Sequence, residues 1–317
     1  MRILITGVTG FAGSHLLDLL VKQKKVEIHG TYRWRSKLEK IQHNLDKIEL
    51  HECDLRDMSS VRRTLNSVKP DIMFHLAAQT FVPMSWDAPV DTYETNVLAQ
   101  VNIMEYYREA KDTCRLIVPI SSEIYGQVYR KELPVRETNT LRPLSPYSVS
   151  KAAQDMVCYQ YFRSHKVDSV RIRAFNHDGP RRDDVFVWSN FAKQIAVIEK
   201  GLKPPVIRVG NLDPERDYVD VRDMVRAYWL ASQKCPPGEV YNVCTGKAKR
   251  IGEYLEQLVS NSKIKLKVVV DKQRFRPTDT PVMVGDYSKF KKATGWVPEI
   301  EFRQTLKDLL NYWRERV

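Results

Sequence analysis

The sequence predicts an α/β fold: a doubly wound parallel sheet carrying a smaller, interleaved α/β cap. Three observations predict it. Short apolar runs alternate with longer amphipathic stretches through the first half of the chain. A glycine-rich turn closes the first of those runs. After residue 175 the alternation stops and polar, proline-containing segments interrupt it.

The elements follow in order. Strands are expected over 2–6, 26–32, 50–54, 71–76, 115–121 and 169–174. Helices are expected over 13–22, 58–67, 89–110 and 146–164. Runs such as Ile3-Leu4-Ile5 and Leu116-Ile117-Val118 are apolar at every position. That pattern belongs to strands covered on both faces, and strand–helix alternation makes the sheet parallel. Gly179-Pro180 marks a loop. A helix over 220–232 and a strand over 240–243 return the chain to the main sheet, and 251–261, 264–270 and 302–315 build the cap.

Composition excludes several classes. Of 317 residues, 43% are hydrophobic and 28% charged, which suits a soluble globular chain. No apolar run approaches the roughly 20 residues of a membrane helix. Met1 to Gly7 is too short a run for a secretory leader and reads as the first strand. The five cysteines are widely spaced with no Cys-x-x-Cys pair, so neither a metal site nor a disulfide framework is expected, and a reducing cytoplasm is. The net charge of +12 raises the question of nucleic acid. The basic residues are interleaved with acidic ones and form no aromatic-laced block. A small polyanion such as a pyrophosphate accounts for the same excess.

The first strand ends in Gly7-Val8-Thr9-Gly10-Phe11-Ala12-Gly13. Gly7 permits the tight turn, Gly10 lets backbone amides approach a pyrophosphate, and Gly13 lets the helix pack on the strand. The anion then sits at a helix N-terminus. This is the Rossmann arrangement, and Thr9, Phe11 and Ala12 line it with the glycines. A site for NAD places an acidic residue after the second strand. Here Thr31-Tyr32-Arg33-Trp34-Arg35-Ser36 has two arginines and no acid. Guanidinium groups pair with a 2′-phosphate, so NADP is the expected cofactor. Asp54 and Leu55 are placed to meet its adenine. Residues 1–174 with about 215–246 form the dinucleotide-binding part, and about 175–214 with 247–317 the substrate-binding cap.

Tyr147 and Lys151 lie four apart at the start of a helix and share a face. An ammonium and a positive nicotinamide beside the phenol are expected to lower its pKa and let it move a proton while hydride moves. Upstream, Ser121 and Glu123 close a strand whose carboxyl end lines the ligand crevice. Ser121 can hydrogen-bond a substrate oxygen. Glu123 can serve as a second acid/base, which a plain oxidoreductase does not need and a dehydratase does.

Together these residues resemble the extended short-chain dehydrogenases/reductases, and within them the GDP-mannose 4,6-dehydratase and GDP-4-keto-6-deoxymannose reductase branch. Leu76-Ala77-Ala78-Gln79 and Ser85-Trp86-Asp87 are similar to the segment that passes under the cofactor. Ser121-Ser122-Glu123 stands where the dehydratases carry Thr-Ser-Glu. Asn176-His177-Asp178-Gly179-Pro180-Arg181-Arg182 is similar to their Asn-His-Glu-Ser-Pro-Arg-Arg, with a departure toward the reductase. Gly210 to Asp217 resembles a segment that binds the nucleotide diphosphate, and Arg276-Pro277-Thr278-Asp279 resembles the Arg-Pro-x-Glu that closes over it. The resemblance implies a substrate site drawn from Gln79, Ser85, Asn176, Arg182, Val187, Lys193, Arg208, Asn211, Arg216, Arg276 and Asp279. Lys193 falls off the dehydratase lysine's position.

The resemblance therefore implies an NADP-dependent lyase acting on a nucleotide sugar, GDP-mannose in the first place, with no nucleic-acid or membrane partner. The front half is dehydratase-like and the back half reductase-like, so a 4-keto reductase making GDP-rhamnose is the alternative. A non-enzymatic NADP(H) sensor would carry a damaged Tyr-Lys pair, and this chain does not. The apolar helices over 89–110 and 146–164 match a family dimer contact, implying a homodimer or a dimer of dimers.

Overall fold

The computed structural model describes residues 1–110, 113–275 and 280–317. Seven strands form the main sheet: β1 (Arg2–Thr6), β2 (Glu27–Tyr32), β3 (Glu49–Glu52), β4 (Ile72–His75), β5 (Arg115–Pro119), β6 (Ser169–Ala174) and β7 (Val240–Val243). Their spatial order is 7-6-5-4-1-2-3, and every pair is parallel. The order reverses between β1 and β4, where such sheets open a ligand crevice at the carboxyl ends of their strands.

Helices cover both faces. On one, α1 (Phe11–Leu20) and a later helix (Val221–Lys234) pack over Ile3, Ile5, Phe74, Ile117 and Ile172. On the other, α2 (Met58–Val68), a long helix α3 and α4 (Pro146–His165) pack over Leu4, Met73, Leu116 and Val118. Alternate residues of each strand thus enter opposite cores, which is why the strands read as unbroken apolar runs.

Helix α3 is three stretches run together: Pro89–Tyr93, a π-helical Glu94–Leu98, and Ala99–Glu109. The π turn aims Asn96, fully buried, at the chain after β4. Its side-chain amide accepts from the Gln79 amide (2.8 Å) and donates to the Gln79 carbonyl (3.0 Å) and to Ser150 Oγ (2.9 Å).

The cap has its own core around Trp188, Tyr218, Tyr254 and Phe302. Helices Val187–Glu199, Ile251–Val259 and Phe302–Arg314 surround it, with a parallel ladder of Val206–Val209 and Lys267–Val270.

Several expectations are corrected. Helix α1 begins at Phe11 and not at 13. Residues 215–220, assigned with the dinucleotide-binding part, form the strand Glu215–Asp220 at the centre of the second sheet. It pairs with Asn176–Asp178, Ala248–Arg250 and Val282–Met283. Asn176–Asp178 was expected to be loop because it is polar throughout. It is a strand because its backbone pairs with Glu215–Asp220, a partner remote in sequence. The helices Val82–Asp87, Val187–Glu199 and Ser288–Thr294 were not foreseen.

Candidate active site

The glycine turn is built as its residue types require. Gly7 has φ +68°, and a Cβ there would lie 2.8 Å from Ala77 Cα across the crevice. A Cβ on Gly13 would lie 2.3 Å from the Gly7 carbonyl oxygen. Gly10 is the N-cap of α1, with no side chain capping the first turn. The amides of Phe11 and Ala12 are thus the free donors of a helix N-terminus, ready for an anion. Ala77 is fixed against the turn by its amide, which donates to Thr6 Oγ1 at 3.2 Å. Leu76 and Ala78 flank it at the end of β4.

Arg33 and Arg35 lie exposed just past β2. Arg35 adopts φ +63°. Asp54 follows β3, and Arg33 is one of the charges that hold its carboxyl below the usual range, after hydrogen bonds from Arg56. Arg56 grips Asp54 through Nε (3.1 Å) and NH2 (2.9 Å). Leu55 is buried beneath.

Helix α4 starts at the crevice. Ser145 caps it, accepting from the Ser148 amide at 3.1 Å, and Pro146 opens its first turn. Tyr147 and Lys151, one turn apart, are both buried. Lys151 Nζ donates to the Pro119 carbonyl at 2.9 Å. The Ser121 hydroxyl accepts from the Glu123 amide at 3.2 Å and acts on the Tyr147 phenol to lower its pKa. Ser121, Glu123, Tyr147 and Lys151 thus meet where β5 ends.

The phenol was expected to titrate low. In the protein alone, burial pushes Tyr147 up to about 12; Ser121 and Arg182 pull against this, while Glu123 adds to it. Burial also brings Lys151 down to about 8. Desolvation outweighs Ser121 and Arg182 here, so a low phenol requires further positive charge at the site.

Arg182 has a position sequence reasoning did not anticipate. Its guanidinium lies 4.7 Å from the Phe11 ring centroid and 3.5 Å from that of Phe186. Its Nε is buried without a partner. A buried, incompletely satisfied guanidinium between the glycine turn and the tyrosine suits an anionic ligand. His177 stacks on the other neighbour, Phe11, at 6.0 Å, and burial brings its pKa down to about 4.

A cleft opens beside Glu123. Its walls include Trp86, Ser122, Glu123, Asn176, Arg216 and Arg274. Asn176 and Arg216 come from adjacent strands of the second sheet. Arg274 was missed by sequence reasoning because it falls in no motif; Ser122 lies within the Ser121-Ser122-Glu123 motif, where only its two neighbours were singled out. Trp86 lines the cleft in place of its neighbour Ser85, which is fully buried with its hydroxyl donating to the Val82 carbonyl at 2.7 Å.

Other expected ligands are placed elsewhere. Gln79 holds the chain after β4, its side chain donating to Thr92 Oγ1 (3.1 Å) and accepting from the Phe81 amide (2.5 Å). Lys193 pairs with Asp184 at 2.6 Å, over Trp313. Val187 packs against the cap core. Arg208 is exposed, its backbone held by Gln194. Asn211 accepts from the Asp213 amide at 3.1 Å within its own turn. Arg276 and Asp279 lie outside the described residues.

The chain is similar to known proteins over nearly all of its length. Residues 4–309 match the family model described as GDP-mannose 4,6 dehydratase. A GDP-6-deoxy-D-mannose reductase from Pseudomonas aeruginosa is 32% identical over 100% of this chain and 98% of its own. GDP-mannose 4,6 dehydratase 1 from Arabidopsis thaliana is 33% identical over 97% and 88%. Among solved structures, RMD from Pseudomonas aeruginosa with NADPH superposes at TM-score 0.86, 31% identical over 100% and 99% of the two chains. The UDP-glucose 4-epimerase of Thermus thermophilus with NAD superposes at TM-score 0.87, 30% identical over 100% of both.

Proposed function

We propose, from the premise that this chain belongs to the GDP-mannose 4,6-dehydratase family, that it is an NADP-dependent GDP-mannose 4,6-dehydratase. The observation that carries the reading is Glu123 lining the cleft within electrostatic reach of Tyr147. Reduction of a ketone needs one proton donor. Loss of water from an adjacent carbon pair needs a group that both takes a carbon-bound proton and protonates the leaving hydroxyl.

The cofactor cradle fits its ligand. Side chains at Gly7 and Gly13 would fill it, the first turn of α1 is uncapped, and Arg33 and Arg35 suit a 2′-phosphate. Bound there, NADP would supply the hydride acceptor for C4 of the sugar and the hydride donor for C6. The chain's own groups do the rest. Arg216 and Arg274 receive the diphosphate, because their planar forks of donors match phosphate oxygens. Asn176 offers an amide to a phosphate or sugar oxygen. Tyr147 takes the proton of the 4-hydroxyl, with Ser121 bridging phenol and substrate oxygen. Lys151 holds positive charge below the phenol. The ketone at C4 acidifies C5. Glu123 takes the C5 proton and passes it to the C6 hydroxyl, which departs as water, and the proton taken up by Tyr147 returns to C5 as hydride returns to C6.

Incubation with GDP-mannose and catalytic NADP, without reductant, is expected to give a 4-keto-6-deoxy product. Its absence, with the protein folded and binding NADP, would remove the dehydratase.

A second reading is favoured by the reductase relative, which matches this chain over nearly the full length of both. It is a 4-keto reductase that consumes NADPH and survives Glu123→Gln. We also infer a homodimer through α3 and α4, whose Val90, Tyr93, Leu98, Val149, Met156 and Tyr159 are exposed. Light scattering at twice the chain mass is the expected result.

A further inference from the structure

We infer that His29, Glu49 and His51, at the edge of the main sheet, form a binding site for a zinc-class divalent cation. The three residues come together through strand pairing. In the parallel ladder His29 faces Glu49 and Thr31 faces His51. Alternation along the strands then puts Glu27, His29, Glu49 and His51 on one face.

The geometry is that of a ligand set. His29 Nδ1 lies 3.0 Å from His51 Nε2. The Glu49 carboxylate straddles the pair, Oε2 at 3.6 Å from His29 Nδ1 and Oε1 at 3.6 Å from His51 Nε2. One ligand atom from each residue falls within 4.8 Å of the others. Tetrahedral zinc with bonds of about 2.0–2.2 Å separates its ligand atoms by about 3.3–3.6 Å, so the three are already near the required spacing.

The surroundings strengthen the assignment. The other nitrogen of His29, Nε2, lies 3.1 Å from the Glu27 carboxylate. That carboxylate fixes the proton on Nε2 and leaves the Nδ1 lone pair facing His51 and Glu49. A carboxylate behind a ligating imidazole is the usual outer shell of a metal-bound histidine. The His29 side chain is only 5% exposed and that of His51 15%, so the imidazoles are held in place, while Glu49 at 65% leaves an entry and an open position for water. Without metal, His51 Nε2–H donates to His29 Nδ1. With it, His51 carries its proton on Nδ1 and both inner lone pairs turn to the cation. Two imidazoles and a carboxylate suit zinc and its neighbours over magnesium or calcium. The cation would tie β3, the last strand of the sheet, to β2. Those two strands lead directly to Asp54 and Arg33.

The test uses tag-free, chelator-treated protein titrated with Co²⁺, followed by ligand-field absorption and displaced by Zn²⁺. One equivalent is expected to bind with a low-coordinate spectrum. Glu49→Gln and His51→Ala each weaken binding by more than 100-fold, and Glu27→Gln, which touches only the outer shell, by about 10- to 100-fold. NADP affinity of the metal-free protein is unchanged in Glu49→Gln. Absence of binding, or binding untouched by both Glu49→Gln and His51→Ala, overturns the site. Should His51→Ala fail to fold, anomalous scattering at the zinc edge from soaked wild-type crystals decides. A peak between His29 Nδ1 and His51 Nε2 supports the site, and none there overturns it.

Discussion

The proposed chemistry turns on Tyr147, and its surroundings hold a tension. Burial drives the phenol up to about 12, while Ser121 and Arg182 work in the opposite sense. A proton acceptor at neutral pH therefore depends on charge that arrives with ligand. Tyr147→Phe is expected to lower turnover by about 10²- to 10⁴-fold with NADP binding retained, measured by steady-state rates and fluorescence titration. Exchange of Arg33 and Arg35 together for alanine is expected to weaken NADP by about 10- to 100-fold, the worth of charge-assisted hydrogen bonds, and NAD hardly at all. Parallel titration with both cofactors checks it. Ser121, Glu123, Tyr147 and Lys151 were legible in the sequence because each lies in a short motif next to a strand end or helix start. Arg182 was legible only as part of a motif. Its seat between Phe11 and Phe186 joins segments far apart in the chain, and no local pattern encodes that. His29 and His51 share the difficulty, since only the β2–β3 register brings them together.

Helix α4 carries the Tyr-Lys pair, and a buried ion cluster fixes it to the sheet. Asp155 accepts from Arg171 at 2.7 Å and from Arg173 at 2.8 Å, all three side chains being under 10% exposed. Arg173 reaches on to Tyr125 Oη at 3.0 Å, and Tyr125 donates to Asn242 at 2.6 Å. The cluster thus links α4, β6, the chain after β5, and β7. Asp155→Ala leaves two buried guanidinium groups without their anion and is expected to destabilise the fold by about 3–5 kcal/mol in urea unfolding. The strands of the main sheet were readable because doubly covered strands must be continuously apolar. The second sheet was not. Asn176–Asp178 carries only polar side chains, and Glu215–Asp220 is charged at four of its six positions, so neither shows a strand's apolar pattern and backbone pairing makes them strands. The π turn at Glu94–Leu98 was equally hidden, because the amphipathic pattern of a long helix runs through it unbroken.

Across the molecule, buried histidines set the acid limb of stability. Burial lowers His15 and His177 from 6.5 to about 4 and His75 to about 3. Between those values and 6.5 the unfolded chain binds these protons and the folded chain does not, so stability rises with pH across that window. Asp178 and Asp217, raised from 3.8 to about 6 by burial, act in the opposite sense over 3.8 to 6 but are fewer. Urea midpoints are expected to increase from pH 4.5 to 6.5, because three histidines set against two carboxyls leave a net uptake of about one proton on unfolding, and His75→Asn is expected to flatten the slope. On the proposed mechanism, a diphosphate held by the cap is delivered to a tyrosine held by the sheet. The account as a whole rests on a hydride leaving C4 and returning to C6 of the same sugar. The direct test is GDP-mannose deuterated at C4, incubated with catalytic unlabelled NADP and no reductant. Deuterium recovered at C6 of a 4-keto-6-deoxy product is the predicted result. Product with the label absent from C6, or no product unless NADPH and a keto sugar are supplied, would contradict it.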